Sequence, residues 1–296
     1  MPGYYLLRSV TWIVSKMPLR LLYFFSDLMY YPVFYIFRYR RRVVAGNLFN
    51  SFPEKSKKEL EVIAKKFYHH LCDLFIEMLY FDRMSVEFGK KCVNYKNLEL
   101  PISYLDKGRN AICLLGHYNN WEWFSTWTLY TNYKFYPVYK KLRNDSFERF
   151  YYNLRGRFGA IPLERSDTFK QLYTDHQQKI PTGTAFLFDQ TPRASELHHW
   201  VEFLNQDTPV ILGPEKVAQK LNSVVFFLHS RKIKRGYYEV EVQLITDQAK
   251  TCPKFEIVDK CMALLENQIK EQPEFWLWTH KRWKHSRVSD EPLNQS

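Results

Sequence analysis

Ala111-Ile112-Cys113-Leu114-Leu115-Gly116-His117-Tyr118-Asn119-Asn120-Trp121-Glu122 is the stretch from which the rest of the chain is best read. Five consecutive apolar residues read as a strand. Gly116 permits a tight turn, and Asn119 or Asn120 suits the N-cap of a following helix. The C-terminal ends of strands are where α/β sheets place their sites. On one continuous helix, His117 and Glu122 would point about 140° apart, at roughly 100° per residue. They meet only if His117 lies in the strand–helix turn and Glu122 in the first helical turn. Glu122 would then accept from one imidazole nitrogen and fix the tautomer, leaving the other to take a proton from an attacking hydroxyl. Spacing alone leaves two blander readings open. Asn119-x-x-Glu122 is also a capping-box pattern, and His117 also fits as a satisfied histidine near the core.

Downstream, short apolar runs alternate with helical ones. Ala111–Leu115, Phe135–Val138, Thr184–Phe188, Val224–His229 and Tyr237–Leu244 read as strands. Segments near 120–131, 146–156, 166–177, 213–221 and 255–271 read as helices. This alternation implies an α/β sheet with helices on its faces. Tyr237–Leu244 alternates polar and apolar residues, which predicts an edge or antiparallel strand. Asp189 and Gln190 end the Thr184–Phe188 run, where they either position a substrate or close a turn.

Upstream, Ser56-Lys57-Lys58-Glu59 is a capping-box pattern that starts a helix after the connector at 51–55. Leu60, Ile63, Phe67, Leu71, Leu74, Phe75 and Met78 recur at helical spacing to about Tyr80. Residues 4–37 are rich in Leu, Tyr, Phe, Ile and Val. The longest stretch without Lys or Arg, Leu21 to Phe37, is about the minimum to cross a bilayer, but it contains Asp27 and Pro32. The better reading is an anchor helix, lying in the interface or entering the membrane partway, with Arg38, Arg40, Arg41 and Arg42 against anionic headgroups; a buried N-terminal helix of a soluble protein is the alternative. No small-residue cleavage site follows an apolar core. Three parts are expected: an anchor segment 1–42, an α/β domain 43–288 and a loose polar tail 289–296.

The composition points to an acidic partner without naming it. The 296 residues carry a formal net charge of +12, and 18% are Phe, Trp or Tyr. That suits a membrane interface, an acidic carrier protein or single-stranded nucleic acid. No nucleic-acid motif or zinc-finger spacing occurs, so no nucleic-acid partner is expected. The five cysteines form no CxxC pair and read as free thiols. The pairs His69-His70 and His198-His199 lack metal-ligand spacing and read as surface residues.

Gly116-His117-x4-Glu122 resembles the HX4D/E motif of the lipid A biosynthesis late acyltransferases, although glycerolipid acyltransferases share that motif. Further blocks look similar and keep the family's order. They are Arg40 to Leu48 with Phe52-Pro53; Tyr139-Lys140-Lys141 with Asn144; Arg155-Gly156-Arg157-Phe158-Gly159; Phe188-Asp189-Gln190-Thr191-Pro192; and Trp278-Thr279-His280-Lys281-Arg282-Trp283-Lys284. The likeness covers residues 4–288. Around His117 and Lys140 the sequence departs from the best-known enterobacterial pattern, which bears on acceptor and chain length.

The resemblance implies a central mixed sheet flanked by helices, like that of glycerol-3-phosphate acyltransferase, with an N-terminal anchor. It implies transfer of a fatty acyl chain from acyl carrier protein to a hydroxyl of a lipid A precursor, with or without Kdo sugars, on the cytoplasmic face of the bacterial inner membrane. His117 is then the general base and Glu122 its orienting group. Arg157 is the candidate oxyanion donor, with Arg155 as the neighbour that could take its place. Lys140, Lys141, Lys281, Arg282 and Lys284 would hold phosphates, the acidic carrier or lipid headgroups. Thioester alcoholysis calls for no cofactor or catalytic metal. Transfer onto another membrane glycolipid or an amino-acid lipid, or a non-catalytic membrane-binding module, are the competing readings.

Overall fold

In the computed structural model, which describes residues 2–287, Ala111–Leu115 is the middle of a seven-stranded sheet. In chain order the elements are α1 (Pro2–Ser15), α2 (Leu19–Tyr31), α3 (Arg41–Ser51), α4 (Lys57–Phe81), α5 (Val86–Cys92), β1 (Val93–Lys96), α6 (Glu99–Asp106), β2 (Ala111–Leu115), β3 (Lys134–Tyr139), α7 (Asp145–Arg155), β4 (Leu163–Glu164), α8 (Thr168–Gln177), β5 (Thr182–Leu187), β6 (Trp200–Phe203), β7 (Gln206–Pro209), α9 (Gly213–Leu221), β8 (Val224–Lys234), β9 (Tyr237–Thr246) and α10 (Glu256–Glu271). The strands run in the order β1-β9-β8-β2-β5-β3-β4. All neighbours are parallel except β8 and β9, so the sheet is mixed. β6 and β7 form a separate hairpin.

β2 shows why a continuous apolar run was needed. Ile112 and Leu114 enter one core layer with residues of α4, α9 and α10. Ala111, Cys113 and Leu115 enter the other, with Leu105 of α6, Trp123, Trp127 and Phe150 of α7. A strand covered on both faces has no solvent side on which to alternate. β9 does alternate, and it is antiparallel to β8, but it is not an edge, because β1 pairs along its other side. The expected helix near 120–131 is a 3₁₀ helix, Trp121–Leu129.

The capping box of α4 forms as its sequence implies, with Ser56 accepting from the Glu59 N–H and Glu59 accepting in return. α9 opens on Gly213-Pro214 and closes on Asn222 in the left-handed conformation, the usual asymmetry of helix ends.

The N-terminal segment is two helices broken at Pro18, followed by one π-turn over Pro32–Ile36. No helix among the described residues is long and apolar enough to cross a membrane. Polar bonds tie the segment to the body. Arg8 pairs with Asp82 at 2.7 Å, and Arg235, from the β8–β9 turn, bridges Asp27 of α2 and Asp73 of α4. The outer faces of these helices expose Leu6, Trp12, Phe24, Tyr31, Ile36 and Phe37. His70, expected at the surface, is buried against Phe275 and Lys232, and burial holds its imidazole well below the ordinary value. Residues 288–296, the expected tail and the last residue of the expected domain, lie outside the described residues.

Candidate active site

The register of two adjacent strands builds the centre of the site. Leu115 of β2 stands opposite Leu187 of β5. Two residues beyond each, in step, come His117 and Asp189. Asp189 Oδ1 lies 2.6 Å from His117 Nδ1, and Asp189 Oδ2 accepts the His117 backbone N–H at 2.8 Å. Trp276 Nε1 donates to Asp189 Oδ2 at 2.7 Å. Burial pushes the Asp189 carboxyl up, but the His117 charge and these three donors outweigh it and hold it at about 2. An ionised Asp189 therefore fixes the tautomer with the proton on Nδ1 and the lone pair on Nε2. The Gln190 amide nitrogen lies 3.0 Å from that Nε2, and the Trp121 ring meets the imidazole edge-on at 4.9 Å.

Every residue of the turn after β2 is pinned. A Cβ on Gly116 would come within 2.5 Å of Leu265 and 3.3 Å of Asp189 Oδ2, so close approach, not a positive φ, demands glycine here. Asn119 is left-handed, and its amide donates to the Ser230 carbonyl at 3.1 Å. Asn120 stands at the N-cap position but makes no capping bond. Its amide instead donates to Glu77 at 2.7 Å.

Glu122 does not hold His117 in this arrangement. Its two carboxylate oxygens accept from Arg155 Nε and Nη2 at 2.9 and 2.7 Å, a bidentate pair. Burial alone would raise Glu122, and the Arg155 guanidinium outweighs it and holds the carboxyl below its ordinary value. The Arg155 guanidinium also lies 5.2 Å and 5.3 Å from the Tyr139 and Tyr151 rings. Arg157, two residues on, points elsewhere. It donates to the Met84 carbonyl, and it is absent from the cavity that Arg155 lines. Of the two arginines, the neighbour is the one at the site. They sit at the C-terminal end and just past the end of α7, where two residues of separation means nearly opposite directions.

Two cavities meet here. One, of about 730 Å³, is lined by His117, Gln190 and Arg155 and by the exposed Lys140, Lys141, Arg143 and Lys284. Among the described residues its only carboxylate is Glu122, already paired with Arg155. The other, of about 620 Å³, is apolar, lined by Met29 and Val33 of the N-terminal segment, by Leu71, Phe75 and Met78 of α4, and by Leu277. Trp121 and Glu122 belong to the walls of both.

The family model of bacterial lipid A biosynthesis acyltransferases matches residues 1–285. The chain belongs to that family. It is thus an acyltransferase, and the family implies a lipid A precursor as acceptor. No curated protein matches the chain.

In this lipid A acyltransferase the C-terminal signature is mostly internal. Trp278 is fully buried, as is Arg282, whose Nη2 donates to the Pro209 carbonyl at 2.7 Å. Burial lowers the Arg282 guanidinium to about 10, against the opposing pull of Asp189. Arg282 is therefore not placed to meet phosphates, a carrier or headgroups from the surface. Lys281 is exposed and Lys284 reaches the cavity. His280 Nε2 accepts the Thr191 N–H at 3.1 Å. Trp276 and Glu77 were not singled out from the sequence. Trp276 lies two residues before the Trp278 signature, and nothing in its own position marks it as a donor to Asp189.

Proposed function

We propose that the protein transfers a fatty acyl group from an acyl carrier protein thioester to a hydroxyl of a lipid A precursor, at the cytoplasmic face of the inner membrane, with His117 as general base. The observation that carries the reading is the His117 imidazole, with Nδ1 held by Asp189 and Nε2 turned to the cavity beside Gln190.

The acceptor hydroxyl replaces the Gln190 amide at Nε2 and gives up its proton there as its oxygen attacks the thioester carbonyl. Asp189 stabilises the imidazolium that forms. Collapse of the tetrahedral intermediate breaks the C–S bond, and the imidazolium returns the proton to the departing thiolate. Arg155, with Nε and Nη2 committed to Glu122, keeps Nη1 to donate to the developing oxyanion. Glu122 acts through Arg155, which it fixes.

The cavities suit the two substrates. Lys140, Lys141, Arg143 and Lys284 offer exposed cations along the first to phosphates of an acidic headgroup or a phosphopantetheine arm. The apolar second cavity suits an acyl chain. The aromatic and aliphatic residues exposed on α1, α2 and the π-turn suit an interfacial position.

Purified protein is incubated with acyl carrier protein thioesters of several lengths and a tetra-acylated precursor, with and without Kdo, and products are weighed by mass spectrometry. A product heavier by one acyl group, absent with His117→Ala, supports the proposal. Absence of transfer with every donor and acceptor pair removes it, and equal transfer by His117→Ala removes the mechanism.

A further inference from the structure

Glu77 is fully buried near the C-terminal end of α4, and no cation among the described residues bonds to it directly. Its carboxyl accepts from Tyr23 of α2 at 2.7 Å on one oxygen. On the other it accepts from Asn120 at 2.7 Å and from Tyr238 of β9 at 2.6 Å. Its backbone carbonyl accepts from Trp123 Nε1 at 3.2 Å. A carboxyl in such a place is expensive to bury, and apolar packing of the same volume is often at least as stable. The arrangement does something that apolar packing does not. It joins an N-terminal helix, a core helix, a strand and the turn after His117 at one point with directional bonds. Asn120 immediately precedes Trp121 and Glu122, the wall shared by the two cavities. Tyr23 lies on the buried side of α2, a helix whose opposite side exposes Phe24 and Leu28.

We infer that Glu77 is a positioning residue for acyl transfer, a buried latch through which the seating of α2 sets the Asn120–Glu122 wall beside His117. This rests on the membrane-surface reading of the N-terminal helices and on the acyl-transfer reading of the site. Burial pushes the Glu77 carboxyl up, and in its neutral form one oxygen donates to the Tyr23 hydroxyl while the other still accepts from Asn120 and Tyr238. Gln in its place keeps the set. The amide oxygen takes the position bonded to Asn120 and Tyr238, and the amide nitrogen donates to the Tyr23 hydroxyl, whose hydrogen turns away. Ala removes all three.

The test pairs kinetics with hydrogen exchange on the full chain, bound to vesicles of phosphatidylethanolamine and phosphatidylglycerol. Glu77→Ala is expected to speed exchange in residues 119–124 and in α2, leaving β2 and β5 protected, and to lower kcat by about 10- to 100-fold with KM within about threefold. Glu77→Gln is expected to match wild type in both. Tyr23→Phe, the milder variant should Glu77→Ala not fold, removes one bond and is expected to speed exchange in 119–124 with a smaller loss of kcat. Glu77→Ala and Asn120→Ala together lose little more than either alone, because they break one link. Additive losses, or faster exchange across the whole sheet without a local change at 119–124, would overturn the inference. Exchange needs no turnover. If wild type transfers no acyl group, the acyl-transfer reading fails by itself, and the exchange pattern still decides whether the latch exists.

Discussion

Asp189, 72 residues from His117 in sequence, holds it by both the ring nitrogen and the backbone N–H. The two donors meet the two oxygens of one carboxylate, so rotation of either side chain breaks a bond. Asp189→Asn is therefore expected to lower kcat by about 10²- to 10⁴-fold while leaving donor KM nearly unchanged. Loss of the negative charge also leaves the imidazolium formed during transfer without its counter-charge. Glu122→Gln is expected to lower kcat less. A deeper loss in Glu122→Gln than in Asp189→Asn would make Glu122 the orienting residue after all.

The Glu122–Arg155 pair predicts a different pattern, one of coupling. Removing either partner leaves the other charge largely buried and unpaired, so Glu122→Ala and Arg155→Ala each cost about 3 kcal/mol of stability. The double variant costs less than the sum, which urea unfolding of all four proteins would show. Both singles lower kcat. Arg157→Ala, which loses bonds to the Met84 carbonyl, costs about 1 kcal/mol and leaves kcat within about threefold. A loss of kcat in Arg157→Ala as deep as in Arg155→Ala would restore Arg157 to the site.

These contrasts mark what could be read from the sequence. β2 is visible in it to the residue, because a continuous apolar run is local, and α9 falls on the helical segment read near 213–221. His117 is visible as the residue just past a buried strand. Its partner is not, because partnership depends on which strand lies beside β2. Thr184–Phe188 is legible as a strand and Asp189 as its end, but nothing local says that β5 adjoins β2 in register. Glu122 is nearer in sequence and drew the role by proximity. Arg155 and Arg157 differ only in the direction of their side chains from the end of α7. Glu77 was hidden in an apolar stripe, where one charged residue on a long helix ordinarily reads as solvent-facing.

Gln190 predicts an accessibility effect. In the resting arrangement its amide donates to the Nε2 lone pair that the acceptor hydroxyl needs. Gln190→Ala uncovers that nitrogen. Peptide mapping after diethyl pyrocarbonate treatment is expected to show His117 modified several-fold faster in the variant, with Asp189 still in place to hold the ring. Unchanged reactivity would mean that Gln190 does not shield the base.

His280 gives the clearest dependence of stability on pH. Burial is the main cause holding its imidazole at about 4. The Arg282, Lys284 and His117 charges act in the same direction, and Asp189 opposes them. Its neutral Nε2 is needed to accept from Thr191. In the unfolded chain the same group takes a proton near its ordinary value of 6.5, so between that pH and about 4 the unfolded state binds more protons than the folded one. Stability contributed by His280 is then complete above pH 6.5 and is lost as pH falls toward 4. The loss amounts to about 2 kcal/mol, allowing for partial solvent screening. His280→Gln keeps an acceptor for Thr191 and cannot titrate. Unfolding free energies taken by urea at pH 7.5, 6.0, 5.0 and 4.5 are expected to fall more steeply for wild type than for the variant across this window. Glu77 and Glu215, raised by burial, act with the opposite sign. They are common to both proteins and cancel in the difference, so parallel slopes would mean that His280 is not held neutral by the fold.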